Sequence, residues 1–368
     1  MRIRMTEAKV RVLISLHQGG GAGSVNSILR LALGVARRGV HVRFVCPPDS
    51  PVEAEAREGG LEVHPMALAR SGRLANARRL ADLLTRHPVD LVNSHGSRDR
   101  EAFTWLGLTT RLPVPVIFTR RSWPRTSRFE NWLAGRVARF VVTLSEPVAL
   151  RLGATGIPQA KLRVIENGVL LDRLDRPVGP EEVDQWRRRI GWEPSRRTVA
   201  IIARPKDQQV VVRGLERVAT PVRLVLAGLD GEALEGALPA VPDRHAVVRL
   251  PFLSDVRPLY ELVEVVLHPS RWDALPQAAL EAMALGKPLI ASRATGNAVI
   301  ITDEQDGLLV EPSKPDAWAR ALERLLGDAA LAERLGAAAR RRAREDFPLE
   351  RTITRTIALY HECLGRSC

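Results

Sequence analysis

Aromatic residues make up only 4% of the 368 residues, and cysteine occurs three times. With so few rings and no recognised nucleic-acid module, the chain is not expected to bind nucleic acid. Cys46, Cys363 and Cys368 are odd in number and show no Cys-x-x-Cys spacing. That argues against both a disulfide framework and a zinc site, and it fits a reducing cytoplasm. No apolar run approaches the roughly 18 residues that span a bilayer. Met1–Leu16 carries Arg2, Arg4, Lys9 and Arg11 up to a short apolar run that stops at His17, and that run is expected to be a first strand. Short repeats and low-complexity tracts are missing too.

What remains, 45% hydrophobic and 26% charged residues, is the composition of a soluble globular protein. The length suits two domains, each able to bury a core. Lys and Arg outnumber Asp and Glu by 55 to 42, a net charge of +13. The excess lies in the first half: up to Arg173 there are 27 basic and 14 acidic residues, and beyond it 28 of each. A one-sided field suits an anionic partner such as a phosphorylated acceptor, a headgroup surface or nucleic acid. Because 50 of the 55 basic residues are arginine, a GC-rich genome and solvated helix faces explain the bias equally well.

Short β-branched runs alternate with amphipathic stretches throughout. The first half offers strands at Val10–Ser15, Val40–Cys46, Val89–Asn93, Val114–Thr119, Phe140–Leu144 and Leu162–Ile165. The second half repeats the pattern from Thr198–Ala203 to Gly307–Val310. Strand–helix alternation implies parallel sheets covered on both faces, hence two doubly wound α/β domains. Asn-Gly, two prolines and Gly179 break the periodicity over Asn167–Pro180. The expected domains are therefore residues 1–172 and 173–346, with a last helix at 347–368 packing back on the first domain.

Candidate chemistry sits at strand ends, where open α/β sheets place ligands. Gly19-Gly20-Gly21-Ala22-Gly23-Ser24 follows the first strand, and Gly20 and Gly21 would let backbone N–H groups approach a phosphate or sugar. A plain tight turn explains the glycines as well. His95 and Arg121 each follow an apolar strand. Arg204 and Lys206 place two cations at a strand-to-helix junction, as a diphosphate leaving group requires. Asp273 precedes Pro276 at a helix start, and Glu281 follows within the early turns. Asp273 suits a ligand contact or a helix cap, and Glu281 suits ribose hydroxyls.

The stretch Pro269–Ala284 resembles the donor-site signature of the retaining family 4, or group 1, glycosyltransferases, in which two glutamates are separated by seven residues. The likeness extends to the loop at 19–23, to Val164–Val169, to Leu224–Gly228, to Asp255–Tyr260 and to Gly307–Val310. It implies a GT-B fold of two Rossmann-like domains facing across a cleft, a first domain that binds acceptor and a second that binds sugar nucleotide. The implied enzyme is a hexosyltransferase-type glycosyltransferase that uses a nucleotide-diphosphate sugar as donor, with no cofactor and no metal. Arg204 and Lys206 would neutralise the diphosphate, Asp273 would contact sugar hydroxyls, and Ala274, Leu275 and Pro276 would lie in the phosphate loop. Glu281 would hold the ribose, while His95 and Arg121 would stand on the acceptor side, with His95 also a catalytic candidate.

A glycan or lipid-linked acceptor, a bacterial cytoplasmic location and a role in cell-envelope polysaccharide synthesis complete the expectation. Arg120, Arg121, Arg125 and Arg128 interleave with Trp123, Phe129 and Trp132, which suggests peripheral contact with an anionic inner membrane. Asp273 is one methylene shorter than the family's glutamate, Ala274 replaces a usual glycine, and Val299 replaces another glutamate. Those departures motivate a second reading, a catalytically degenerate relative that binds sugar nucleotide or a partner without transfer. A sugar-nucleotide epimerase is a third, and the 269–284 block counts against it.

Overall fold

The computed structural model describes residues 9–20, 23–110, 112–124, 126–229, 236 and 238–366. They form two compact units. One contains Ser24–Glu166 with the flanking segments up to Gly20 and from Glu350 onward; the other contains Asn167–Leu349 with Gly23. The division thus falls after Glu166, ahead of residue 172.

The first unit is a seven-stranded parallel sheet in the order β3-β2-β1-β4-β5-β6-β7. Its strands are β1 (Arg11–Ser15), β2 (His41–Cys46), β3 (Glu62–Pro65), β4 (Leu91–Ser94), β5 (Val116–Arg120), β6 (Phe140–Thr143) and β7 (Leu162–Val164). Val12, Leu13, Ile14, Val92, Ile117 and Phe118 are buried whichever face they point to, as expected of a sheet covered on both sides. Helices Gly23–Arg37, Arg73–Arg86, Ser97–Thr109 and Glu146–Ala154 alternate with the strands, as the amphipathic stretches between the apolar runs imply.

Helix Leu349–Cys363 supplies Ile353, Leu359 and Tyr360 to this core. Tyr360 Oη accepts a hydrogen bond from Asn93 Nδ2 at 2.9 Å, and Thr352 Oγ1 donates to the Glu166 carbonyl at 2.9 Å. Gly34 leaves room for the helix, since a Cβ there would lie 2.2 Å from Ile353 Cδ1.

The second unit is a six-stranded parallel sheet in the order β10-β9-β8-β11-β12-β13. Its strands are β8 (Arg197–Ile202), β9 (Val222–Ala227), β10 (Ala246–Leu250), β11 (Val265–His268), β12 (Leu289–Ser292) and β13 (Leu308–Val310). Val199, Ile201, Leu224, Leu226, Leu267 and Ile290 pack with Trp318, Leu322 and Leu325 of helix Pro315–Gly327. Helices Pro51–Glu58, Arg128–Val137, Leu171–Leu174, Pro180–Ile190, Arg257–Leu262 and Asn297–Ile300 lie where the periodicity gave none. So does edge strand β3.

Candidate functional site

Both sheets reverse direction of growth beside their first strand, between β1 and β4 and between β8 and β11. Loops leaving the C-terminal ends of such a pair diverge and leave a crevice for ligands. In the second unit these loops are 203–207 after β8 and 269–276 after β11.

The first loop is shaped by Gln208, whose Nε2 donates to the Arg204 carbonyl at 2.8 Å while its Oε1 accepts from the Lys206 amide. Arg204 and Lys206 are exposed. Lys206 Nζ reaches across to Asp273 Oδ1, and His268 Nε2 lies 2.9 Å from Asp273 Oδ2. Asp207 accepts from the Arg271 amide at 3.1 Å and from its Nε at 3.0 Å, a second tie between the loops. Burial pushes the Asp273 carboxyl up, but the hydrogen bond and charge of His268, then Lys206, together hold it below the ordinary carboxylate range.

The Asp273 main chain is equally constrained. Its carbonyl accepts from the Gly296 amide at 3.0 Å and from Thr295 Oγ1 at 2.9 Å. A Cβ on Gly296 would fall 2.6 Å from that carbonyl oxygen. Ser292 Oγ and Asn297 Nδ2 both donate to the Ser270 carbonyl. Ala274, Leu275 and Pro276 are buried and lead into helix Gln277–Ala284, whose first amides have no intrahelical acceptor. Glu281 is buried on that helix, one oxygen 3.5 Å from Gln277 Nε2. Asp273 therefore does not cap the helix: Pro276 is the N-cap residue. Val299 lies in helix Asn297–Ile300, its carbonyl accepting from Arg342.

In the first unit the corresponding point holds His17 and Gly20 after β1 and His95 after β4. Gly20 has φ +158, a backbone conformation that side-chain-bearing residues rarely adopt; Gly21 lies outside the described residues, as does Arg125. His95 is buried, and its Nδ1 accepts from Arg121 Nε at 3.1 Å. Arg121 Nη1 also donates to Ser27 Oγ at 2.8 Å. Burial, then the charge of Arg121, hold the His95 imidazole well below its usual value. The neutral ring therefore carries its proton on Nε2, a buried donor with no partner among the described residues.

Asp99 is also buried, and it accepts from Ser15 Oγ, Ser94 Oγ and the Gly96 amide, with His17 Nδ1 at 3.3 Å. Burial raises its pKa, and the bonds from His17 and Gly96 outweigh that and lower it.

Two expectations about the basic segment change. Arg120 is buried, bonded to Thr126 and Asn131, and burial with the charge of Arg100 draws its pKa down to about 9. Arg121 is likewise drawn down by burial, to about 10. Neither guanidinium belongs to a solvated basic patch.

His268, Gln208, His17 and Asp99 were not singled out by motif. A histidine ending an apolar strand just before Pro269 was the available signal for His268, the same signal that marked His95.

Residues 197–328 match the model described as glycosyl transferases group 1, and residues 21–173 match that described as glycosyltransferase family 4. A protein of Methanocaldococcus jannaschii named as an uncharacterised glycosyltransferase is 29% identical over 221 residues, 57% of each chain. The match thus spans little more than half of that relative. A Mycobacterium marinum protein named D-inositol 3-phosphate glycosyltransferase is 25% identical over 94% of this chain and 82% of its own. The solved structure of Anabaena HepE, titled as a complex with UDP and glucose, superposes with a TM-score of 0.80 at 18% identity, covering 96% of this chain and 99% of that one. That likeness is one of fold.

Proposed function

The chain belongs to the group 1 glycosyltransferases of GT-B fold, and on that premise we propose that it moves a sugar from a nucleotide-diphosphate sugar to an anionic or lipid-linked glycan acceptor, with retention at the anomeric carbon. The observation that carries the reading is the meeting of Lys206, Asp273 and His268 where the second sheet reverses its strand order.

Lys206 and Arg204 neutralise the charge that builds on the departing diphosphate. The free amides at the start of helix Gln277–Ala284, behind Leu275 and Pro276, add donors for the phosphates. Asp273 keeps lone pairs for sugar hydroxyls after binding Lys206 and His268. Glu281 holds the ribose. On the acceptor side, His95 offers Nε2–H to an acceptor oxygen, oriented by Arg121. The Anabaena neighbour's title favours a uridine donor, and the name of the mycobacterial relative favours a phosphorylated acceptor, in keeping with the basic first half.

The proposed setting is the cytoplasmic side of a bacterial inner membrane, in cell-envelope polysaccharide synthesis. Among the described residues no helix is long and apolar enough to cross a membrane. Phe129 and Trp132 are 66% and 48% exposed and stack at 6.0 Å, with Arg136 5.2 Å from the Trp132 ring; this supports peripheral contact.

The test is to incubate purified protein with a panel of sugar nucleotides, measuring nucleoside diphosphate release and, with an accepted acceptor, the anomeric configuration of the product by NMR. Nucleotide sugar that raises the melting temperature without transfer or hydrolysis would favour the degenerate reading, which Asp273, Ala274 and Val299 motivate.

A further inference from the structure

Three of the eight histidines gather around one carboxylate at the open edge of the first sheet. Glu62 and His64 lie two apart on edge strand β3 and so share a face. The β2–β3 register sets Arg43 opposite Glu62, which brings Arg43 and His41 to the same face. His87 arrives from the end of helix Arg73–Arg86.

His64 Nε2 lies 2.9 Å from Glu62 Oε1, and His41 Nε2 lies 2.9 Å from Glu62 Oε2. Arg43 Nε donates to Oε1 at 2.8 Å and its Nη1 donates to the Pro88 carbonyl, so the carboxylate is held from behind. His87 Nδ1 stands 3.8 Å from Glu62 Oε1, too far for a hydrogen bond. The His64 and His87 rings are 4.3 Å apart, and the three ligand atoms of Glu62, His64 and His87 all lie within 4.8 Å of one another.

We propose that Glu62, His64 and His87 form a binding site for a zinc-class divalent cation that clips the edge of the first sheet to the end of helix Arg73–Arg86. Zinc bonds of 2.0–2.1 Å in a tetrahedron set neighbouring ligands about 3.3 Å apart. The pairs at 2.9 and 3.8 Å bracket that spacing, so small side-chain rotations suffice. Two imidazoles and a carboxylate are the donor set that late first-row ions prefer to magnesium.

His41 and Arg43 act as outer partners that orient Glu62, as carboxylates behind metal sites commonly require. A bound ion would also stiffen β3, the strand whose outer edge is otherwise open to pairing with another chain.

The experiment uses the full chain with any affinity tag removed, stripped with chelator and titrated calorimetrically with zinc chloride. One equivalent is expected to bind and to raise the melting temperature, with magnesium chloride inert at the same concentration. His64→Ala and His87→Ala should each weaken binding roughly tenfold or more. Glu62→Gln, which keeps the side-chain shape, serves as the third variant and should do the same. Cobalt should bind with the visible absorption of a tetrahedral centre, lost in His87→Ala. No zinc uptake, or uptake unchanged in a His64→Ala/His87→Ala double variant whose circular dichroism matches wild type, overturns the proposal.

Discussion

Lys206 and Asp273 lie 67 residues apart and meet as an ion pair, with His268 holding the second carboxylate oxygen at 2.9 Å. The Lys206 side chain keeps 34% of its exposure, so solvent screens its share, and the ionised Asp273 carboxylate is stabilised chiefly by buried His268. The proposed significance of the ion pair is positional: it keeps a cation poised where a diphosphate would leave.

Lys206→Ala and Arg204→Ala should therefore each lower turnover on the order of a hundredfold or more while leaving the melting temperature nearly unchanged, as expected for a charge contact made in the transition state. Steady-state kinetics with the identified donor check this. Rates like those of wild type in both variants would remove the two residues from the mechanism.

Asp273→Asn gives a pH signature. Since the folded carboxyl is held below its ordinary range, its ionised form contributes stability above the unfolded pKa of about 3.9 and loses that contribution as pH falls toward the folded value. Urea midpoints of wild type and variant should differ most near neutrality and draw together in acid. A constant difference across the range would mean that the charge on Asp273 is not what stabilises the loop.

Glu281→Gln should weaken donor binding, because a charged acceptor for ribose hydroxyls is lost. Calorimetry with the cognate donor reads the effect directly. Should the affinity stay the same, Glu281 is a buried helix residue and no ligand of ribose.

Gly296→Ala tests the close approach at the Asp273 carbonyl. A methyl group 2.6 Å from that oxygen forces the loop to move, so both the melting temperature and donor affinity should drop. An unperturbed variant would show that the loop shifts without cost.

Vesicle co-sedimentation addresses the exposed pair on helix Arg128–Val137. Binding to anionic lipid should fall with salt and be reduced in Phe129→Ser/Trp132→Ser and in Arg128→Ala/Arg136→Ala. Indifference to such vesicles at low salt would leave a soluble acceptor as the better explanation for the basic half.

The sequence was most readable where strands are buried on both faces. Leu91–Ser94 and Val116–Arg120 announce themselves as apolar runs because both sides of the sheet are covered. Strand β3, Glu-Val-His-Pro, is short, polar and at the edge, so its partner strand makes it extended and no periodicity betrays it. Helix Pro180–Ile190 starts where the Asn167–Pro180 break ends, and it was hidden because Gly179 and Pro180 read as breakers. In the fold they are the N-cap and first residue, a usual helix start.

The site divides in the same way. Arg204, Lys206 and Asp273 stood out by position and motif, whereas the Asp207–Arg271 tie and the support of Asp273 by His268 depend on how two loops meet. Arg120 and Arg121 misled for the opposite reason: arginine in a polar stretch reads as solvated, and only tertiary packing reveals the Thr126, Asn131, Ser27 and His95 partners.

The Asn93–Tyr360 hydrogen bond joins residues 267 apart within one unit. A ribosome releases the seven strands of that unit long before it releases the helix that supplies Tyr360, Leu359 and Ile353. Until then the nascent sheet has those core positions unfilled, while the unit spanning Asn167–Leu349 is already fully synthesised. The half made first is therefore the half completed last. Stalling or cleavage anywhere in the second half would strand the first as an unfinished fold with an apolar face exposed to chaperones and proteases.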